Sequence, residues 1–565
     1  MYDNEKSVRG IGMSATAKSI KHHEVEKPSV RQAESVDATS EAVASLTPEL
    51  VVALCGPIGS PLHQTATEIK HVLRDFGYRI EVIRLSELIR LNVDNASIGK
   101  SSRYSEIDTL IKEGDKLREK YGNDVLAKMA IAKIGADRQK AYGEFSDHAN
   151  EGRTDPEKKI QNHRICHIID SIKNKGELEL LRLIYGEVLF AIGVFSPLDA
   201  RKKNIESIGV AASDINKLID TDSGEEFSHG QSVRDTFPQC DFFLRVDKPT
   251  TAATESDAIT QLYRELLRFF NLIFRTAVVS PTLEENAMYS AASAARNSAC
   301  MSRQVGAAVT SKGGELLAVG WNDVPGYGGG LYGKSPLCQI DGKARGDERC
   351  YAQTQKKCHN DHEKGTIAAK IVDALIEGDV LVKDKHNDAV QVIMKDSRVK
   401  DLIEFSRAVH AEMHAILGAS RVAGDRVIGG KVFVTTYPCH SCARHIVAAG
   451  ISEIYYIEPY RKSLAIRLHE DALTEAADEE KVKLMQFAGV APRRFIDLFD
   501  SVAQKKCGVL HLGEKNGASP STRVSLRAIP RLEDVVVAEI DASGLKLPSL
   551  TTEGGKNDQD TPTAA

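Results

Sequence analysis

The hydrophobic pattern of the chain first becomes regular at an apolar run, LVVALC at 50–55, that ends at Gly56. Short apolar runs that end in glycine are typical of buried parallel strands. After the segment GPIGS, apolar residues recur at helical spacing, which predicts a helix containing Ile69, Val72, Leu73 and Phe76. Gly77 is a natural end for that helix. The order is therefore strand, glycine turn, helix.

The same alternation of strand and helix continues downstream. IEVIRLSELI predicts a strand that leads into a helix, and buried runs follow at 187–195 and 241–246. Strands that alternate with helices predict an α/β domain with a mainly parallel sheet over about 48 to 275. Two helices are then predicted, at 254–274 and 280–299, and we place the domain boundary between them, near Ser280-Pro281. The first of these helices has apolar residues at Ile259, Leu262, Leu266, Phe269 and Ile273.

A length of 565 residues exceeds what one ordinary core supports, so two large domains are expected. We predict a disordered tail at 1–46, a first α/β domain at 47–280, a second domain at 281–510 and a C-terminal extension at 511–565. The tail and the end of the extension have few large apolar residues, which favours disorder.

Composition narrows the function classes. The formal net charge is -5, which does not fit a strongly basic, dedicated nucleic-acid binder. No apolar run reaches about 18 residues and the N-terminus has no apolar signal core, so no membrane segment and a cytoplasmic location are expected. In a reducing compartment, the 10 cysteines are expected to be thiols or metal ligands rather than disulfides.

One motif carries specific chemistry. His410-Ala411-Glu412 is followed by Pro438-Cys439-His440-Ser441-Cys442, the spacing found in zinc nucleobase deaminases. KVFVTT at 431–436 predicts the strand before the cysteines, and a helix is predicted to end at Gly450. A helix start favours thiolates, and a catalytic zinc has three protein ligands and one water. His410, Cys439 and Cys442 are therefore the predicted Zn2+ ligands.

Glu412 is the predicted catalytic residue. Zinc lowers the pKa of its water, and Glu412 would move a proton from that water to the ring nitrogen of the base and then to the departing ammonia. The alternative is a closed structural zinc site, with His440 or His414 as the fourth ligand.

Around these residues the chain resembles the cytidine deaminase superfamily, and more closely its deoxycytidylate deaminase branch. The matching segments span most of 281–500: SRQVGAAV, LAVGWNDVP, AVHAEMHAI, TTYPCHSCARHIVAAGI and YYIEPYRKSLA. The resemblance implies an α/β/α fold, a deoxycytidine nucleotide substrate, and a sugar contact from Asn322. It also implies a nucleotide pocket that includes Tyr460 and Ser463. The phosphate contact lies among Arg296, Arg303 and Arg461, and we take Arg303 as the candidate.

The loop after the first strand occupies the place of a phosphate-binding loop. A working loop of this type reads G-x-x-x-x-G-K-[ST], but this chain has no lysine there, and Pro61-Leu62-His63 fill the turn. The amides of Gly56, Gly59 and Ser60 could still hold a phosphate, and a tight turn that binds nothing is an equal alternative.

Two further segments resemble nucleoside- and nucleotide-kinase-like proteins. In CHIIDSIKNKGELELLR, Asp170 would be a carboxylate on the Mg2+ side of a bound nucleotide. In SPLDARKKN, Arg201 is a candidate phosphate contact of a basic lid. The resemblance thus makes 47–280 a P-loop kinase-like domain. Phosphoryl transfer is the least favoured activity, because the loop lacks its lysine.

The pairing of the two domains resembles the layout of bacterial anti-phage deoxycytidylate deaminases. That layout implies conversion of dCTP or dCMP to dUTP or dUMP during infection, restraint by a small RNA or a nucleotide effector, and a homo-oligomer. Two alternatives stay open: a polynucleotide deaminase that acts on cytidine or adenosine in RNA or single-stranded DNA, and a non-enzymatic nucleotide or RNA sensor.

Residues 326–400 are interpreted as a long irregular insertion, which is usually functional or mobile. Its glycine-rich start, GYGGGLYG, is either a lid or a flexible connection. Cys338, Cys350 and Cys358, with His359 and His362, could hold a second, structural zinc or could be unpaired thiols.

Overall fold

The computed structural model describes most of the chain after residue 44, and residues 45–565 form one compact unit. The described residues are 39, 42–43, 45–93, 102–142, 163–222, 233–251, 255–332, 338–340, 343–345, 347–353, 356–459, 463–476, 480–500, 505–506, 509–510, 512–525 and 528–548. The predicted tail at 1–46 therefore lies almost wholly outside them.

Five parallel strands form the first sheet, which confirms the mainly parallel sheet expected from the hydrophobic runs. They are β1 Leu50–Cys55, β2 Arg79–Arg84, β3 Ile165–Ile172, β4 Leu189–Phe195 and β5 Phe242–Arg245. Their spatial order is β5-β4-β1-β3-β2. Every residue of β1 is buried, as expected for a central parallel strand that is covered on both faces. The carboxyl end of β1 thus opens near the middle of the sheet.

Helices connect and cover these strands. They are α1 Leu62–Asp75, α2 Leu85–Leu91, α3 Arg103–Tyr121, α4 Val125–Tyr142, α5 Lys175–Tyr185, α6 Leu198–Ser207, α7 Ala212–Asp222, α8 Val233–Thr236 and α9 Glu255–Phe274. The predicted helices α1 and α9 are confirmed, and Gly77 follows α1 with a φ of 74°. The sequence reasoning did not predict α3 and α4. Between Val125 and Ile134 nearly every residue of α4 is buried, so this helix lacks the polar face that makes a helix recognisable.

The second sheet is mixed. Its strands lie in the order β12-β13-β11-β10-β6-β7, with parallel pairing from β10 to β12 and antiparallel pairing from β10 through β6 to β7. Two short hairpins, β8–β9 and β15–β16, lie outside it. The strands are β6 Gly306–Thr310, β7 Leu316–Trp321, β8 Cys338–Ile340, β9 Lys343–Arg345, β10 Lys431–Thr436, β11 Glu453–Glu458, β12 Leu473–Thr474, β13 Val482–Gln486, β14 Gly489–Val490, β15 Lys505–Lys506 and β16 Val509–Leu510.

The helices of this part include the three predicted around the zinc motif and the boundary. They are α10 Leu283–Ala295, α11 His359–Glu377, α12 His386–Asp396, α13 Ala411–Ala423, α14 His440–Ala448, α15 Ala465–Leu468, α16 Phe495–Phe499 and α17 Ile529–Ser543. The interpretation of 326–400 as an irregular segment is wrong over α11 and α12, which are two regular helices packed on each other. Their cysteine- and lysine-rich flanks concealed them.

The chain returns to the first sheet after the second is complete. Strand β14 pairs antiparallel with β5, so the first sheet gains a sixth strand from the C-terminal part. Helix α17 packs along α4. Between them, the buried Arg138 contacts Glu49 and also Glu533, with its Nε 2.9 Å from Glu533 Oε2. The boundaries at 281 and 511 remain predictions. Within the described residues, no helix has the length and apolarity needed to span a bilayer.

Candidate active site

Two helix starts bring the three predicted metal ligands together. His410 is the residue before the first turn of α13, and Cys439 holds the same position before α14. Cys442 lies one turn into α14, where its backbone N–H donates to Cys439 Sγ at 3.4 Å. Strand β10, which ends at Thr436, carries the chain to this turn. Both helices therefore present their amide-rich ends to the cluster, a setting that favours thiolates.

The geometry of the cluster fits a zinc ion. The three ligand atoms all lie within 4.8 Å of one another. His410 Nδ1 is 3.2 Å from Cys442 Sγ and 3.4 Å from Cys439 Sγ. Tetrahedral zinc with ordinary bond lengths to nitrogen and sulfur would place such atoms about 3.5 Å apart. One histidine and two cysteines would leave a fourth position open for water.

The candidate proton shuttle Glu412 lies in the first turn of α13 and is only 3% exposed. Burial raises the pKa of Glu412 above its usual range, and the negative Cys439 raises it further. The pKa of the Cys439 thiol is lowered to about 4, first by a hydrogen bond from the Cys442 thiol and also by His410. The site thus combines a cysteine that ionises readily with a carboxyl group whose burial favours its protonated form.

Neither histidine considered as a fourth ligand reaches the cluster. His414 Nδ1 accepts a hydrogen bond from the backbone N–H of Trp321 at 3.2 Å, and its ring packs edge-on against the indole. His440 Nε2 lies 3.8 Å from Glu404. Among the described residues, the only group of three or more potential ligands is His410, Cys439 and Cys442. A closed structural zinc site therefore lacks its fourth ligand in this part of the chain.

The predicted substrate contacts are distributed around this centre. The buried Asn322 amide accepts from Val305 N at 2.7 Å and donates to Arg303 O at 2.8 Å, so it holds the entry to β6 in place. The Arg303 guanidinium is 2.9 Å from Glu458. Ser463 Oγ donates to Pro438 O at 2.8 Å, directly beside Cys439. Tyr460, like Arg461, lies outside the described residues. The substrate roles of these side chains remain predictions.

A cavity of about 1000 Å3 opens beside the cluster. Its wall includes Cys439, His440 and Ser463. It also includes Arg201 and Arg234, which belong to the helices of the first sheet. Sequence reasoning missed Arg234, because α8 is too short to show a periodic pattern.

The glycine loop after β1 is tightly packed. Gly59 has a φ of 83°, and a Cβ there would lie 2.7 Å from Arg201 O. Arg201 Nε donates to Ile58 O at 2.7 Å, so the predicted basic helix does contact the loop. A lysine also reaches the loop, although not from within it: Lys173 Nζ donates to Gly56 O at 2.8 Å. Lys173 follows β3, far along the chain, so the loop motif could not reveal it.

A second cavity, of about 320 Å3, opens at this loop. Its lining includes Ser60, His63, Asp170 and Lys173. Asp170 is buried and hydrogen-bonds His63 through one carboxylate oxygen. The other oxygen of Asp170 and the Ser60 hydroxyl are buried without a hydrogen-bond partner. Mg2+ could coordinate buried oxygens of this kind directly. A bound phosphate could satisfy them through the water molecules that accompany it.

The cysteines of the insertion form no three-ligand cluster among the described residues. Cys350 and Cys358 line a small cavity of about 20 Å3 together with Cys300 and His359. The Cys338 side chain lies outside the described residues. A second zinc here stays a prediction.

Comparison with known proteins assigns residues 281–458 to one family model, described as the cytidine and deoxycytidylate deaminase zinc-binding region. Over 170 residues the chain is 27% identical to deoxycytidylate deaminase of Enterobacteria phage T4, covering 30% of this chain and 74% of that enzyme. Over 56 residues it is 45% identical to ComE operon protein 2 of Bacillus subtilis (strain 168), covering 10% of this chain and 29% of that protein.

Among solved structures, the apo crystal structure of dCMP deaminase from the cyanophage S-TIM5 aligns with 37% of this chain and 100% of its own, at 17% identity and a TM-score of 0.20. The matched family segment contains the predicted metal ligands His410, Cys439 and Cys442 and the buried Glu412.

Proposed function

Because the C-terminal part of the chain carries a zinc-type cytidine and deoxycytidylate deaminase domain, we propose that the protein deaminates deoxycytidine nucleotides, dCTP or dCMP. Water would replace the exocyclic amine, giving dUTP or dUMP and ammonia. The observation that carries this proposal is the buried Glu412 beside a His–Cys–Cys cluster with an open fourth position. The name of the phage T4 relative, deoxycytidylate deaminase, supports a deoxynucleotide substrate.

The residues of the site suit the required proton transfers. Zinc would be held by His410, Cys439 and Cys442 and would supply Lewis acidity that brings the pKa of water toward neutrality. Glu412 would accept the first proton of the attacking water and pass it to the ring nitrogen. It would then take the remaining proton of the water-derived hydroxyl and deliver it to the departing amine. Burial raises the pKa of Glu412, which favours its role as the group that accepts a proton from water.

A substrate panel tests the proposal directly. Purified protein with measured zinc content is incubated with dCTP, dCMP, cytidine monophosphate and a cytosine-containing single-stranded oligonucleotide, and uracil products and ammonia are quantified. We expect dUTP or dUMP to form. Uracil formed only in the oligonucleotide would contradict the proposal and support a polynucleotide deaminase. No product from any substrate, in fully zinc-loaded protein, would support a non-enzymatic sensor.

We propose further that the first sheet forms a P-loop kinase-like module that binds a nucleotide with Mg2+ and regulates the deaminase. The support is the central strand β1, the glycine loop after it, and the partnerless oxygens of Ser60 and Asp170 near the Lys173 ammonium. Titration with ATP and with dCTP, each with and without Mg2+, tests this. Binding that requires Mg2+ and is lost in Asp170→Ala supports it, and equal binding by that variant contradicts it.

At the level of the cell, we propose that the activity depletes dCTP during phage infection, under restraint by a small RNA or a nucleotide effector and in a homo-oligomer. Plaque counts on cells that express the protein or its Glu412→Gln variant test the defence role. Protection by the wild type alone is expected, and equal plaque counts would contradict it.

A further inference from the structure

The 1000 Å3 cavity beside the metal cluster has walls from both parts of the chain. We infer that it is the nucleotide-binding space of the deaminase, and that Arg201 and Arg234 of the first part bind the phosphates of a deoxycytidine triphosphate. The inference rests on the proposed deaminase function and assigns its substrate class.

The metal end of the cavity is defined by side chains next to the cluster. Cys439 itself forms part of the wall, and so do His440, Tyr437 and Ser463. The Tyr437 hydroxyl donates to Glu475 at 2.9 Å, and Ser463 donates to Pro438 O, so this end of the wall is held by internal hydrogen bonds. A base seated here would lie beside Cys439, one of the residues that would hold the zinc.

The wall of the cavity also carries positive charge. Its described lining residues include four arginines, Arg201 and Arg234 from the first part and Arg398 and Arg467 from the second, and two carboxylates, those of Asp401 and Glu475. The Glu475 carboxylate is already engaged by Tyr437. An arginine excess in a partly enclosed space suits phosphate, because the planar guanidinium binds two phosphate oxygens at once.

Arg201 is held in place rather than left on a mobile side chain. Its Nε donates to Ile58 O in the glycine loop, and it projects from α6, which begins just after β4. Arg234 lies on α8, between the buried residues Val233 and Phe237 that also line the cavity. Preorganised cations lose less side-chain entropy when a ligand binds.

The size of the cavity favours a long ligand. A volume of about 1000 Å3 is at the upper end of the range of about 300–1,000 Å3 that small-molecule sites occupy. A nucleoside alone would fill only part of this volume. Arg303, the phosphate candidate from the motif comparison, is not among the described residues that line this cavity. The phosphate contacts are therefore assigned to residues that the deaminase motif does not contain.

The test compares ligands that differ only in phosphate number. Binding of dCTP, dCMP and deoxycytidine is measured by calorimetry on full-length Glu412→Gln protein, so that turnover does not interfere. Arg234→Ala and Arg201→Ala are each expected to weaken dCTP binding about 10-fold or more, to weaken dCMP binding less, and to leave deoxycytidine binding within about 2-fold. Arg234→Lys and Arg201→Lys should recover part of the loss. Arg264→Ala, an exposed arginine on α9 outside the cavity, is the matched control and should bind all three as the parent does.

The same variants in the active protein separate this inference from the proposed function. If wild type converts dCMP or dCTP but the arginine variants keep the dCTP affinity of the parent, the inference fails alone. An equal loss for dCTP and deoxycytidine would also overturn it, since that result indicates a general distortion of the site. If wild type converts no deoxycytidine nucleotide, the proposed function fails, and the calorimetry still decides whether the arginines bind a triphosphate.

Discussion

The proposed site assigns different roles to the buried carboxyl group of Glu412 and to the three predicted metal ligands beside it. Glu412 lies two residues from His410, yet only the histidine belongs to the three-ligand cluster. Removing a ligand should therefore remove the metal, and removing the carboxylate should remove only the chemistry.

Glu412→Gln is expected to lower turnover about 100- to 10,000-fold while zinc content stays at the wild-type value, because general acid–base catalysis contributes that much. Steady-state deamination and metal analysis on the same sample measure both. A variant that loses zinc as well as activity would contradict the assignment of Glu412 as a proton shuttle.

Cys442→Ser is expected to reduce bound zinc to well below one ion per chain, because the softer thiolate ligand is lost. Cys300→Ser is the matched control, since Cys300 lies outside the cluster. Equal zinc content in the two variants would show that Cys442 is not a ligand.

The buried His167 makes stability depend on pH. Burial lowers its pKa from 6.5 to about 3, and neither ring nitrogen has a hydrogen-bond partner. Between those values the unfolded chain binds a proton that the folded chain does not, so stability falls as the pH drops below 6.5. The slope approaches about 1.4 kcal/mol per pH unit. The charged and titratable neighbours that influence the pKa of this ring are Glu49, Arg138, His163 and Arg79.

His167→Leu should therefore be less sensitive to acid than wild type. The difference in urea unfolding free energy between pH 7 and pH 5 is expected to shrink by about 1–2 kcal/mol. His362→Gln, an exposed histidine on α11, should leave that difference unchanged. An unchanged difference in His167→Leu would mean that other groups cause the loss in acid.

The His410, Cys439 and Cys442 cluster could be predicted from sequence because it is encoded in two short motifs: Cys439 and Cys442 share one helix turn, and His410 lies two residues before Glu412. Lys173 and Arg234 were not predictable. They approach the loop and the cavity through strand order and helix packing, which bring together residues far apart in the chain. Short-range patterns carry no information about such contacts.

At the level of elements, helix α13, which carries Glu412, lies against β7 at a position where only glycine fits. A Cβ on Gly320 would lie 2.4 Å from Ala415 N and 2.5 Å from Ala411 O, both in the backbone of α13. This close approach sets the distance between β7 and the N-terminal end of α13, where His410 and Glu412 lie. The hydrophobic periodicity of the sequence predicts the strands and amphipathic helices of this region. It does not predict this backbone contact or the buried helix α4, because neither leaves a periodic signal.

Gly320→Ala is expected to push α13 away from β7 and to lower turnover about 100-fold, because a displacement of about 1 Å at a catalytic group has that effect. Gly418→Ala, on α13, is the matched control. A Cβ on Gly418 would lie 3.4 Å from the Ala318 side chain, which is an ordinary contact. Wild-type turnover in Gly320→Ala would contradict this account of the contact.

For the molecule as a whole, the buried Arg138 joins three distant parts of the chain. Burial would raise the pKa of Glu49, but attraction to Arg138 and hydrogen bonds from His163 and Arg138 lower it to about 2. Glu533, on α17, shares the same guanidinium, and its pKa is raised by burial. One arginine thus balances two buried carboxylates at opposite ends of the sequence.

Arg138→Met is expected to destabilise the protein by about 3–5 kcal/mol, because it leaves buried charge without a partner. Lys128→Met is the matched control: Lys128 also lies on α4 and pairs with α17, but its partner Glu539 is 55% exposed, so a loss of about 1 kcal/mol or less is expected. Chemical denaturation of both variants measures the difference, and equal losses would contradict a central role for Arg138.

The pairing of β14 with β5 also has a consequence for synthesis on the ribosome. Domains generally fold from the N-terminus as they emerge, yet here the edge of the first sheet stays open until residue 490 has been made. An open edge strand is a template for pairing with other chains. The unpaired edge of β5 is therefore exposed while the deaminase domain is being translated. A chain that terminates before β14 would keep this edge exposed and would be prone to aggregate.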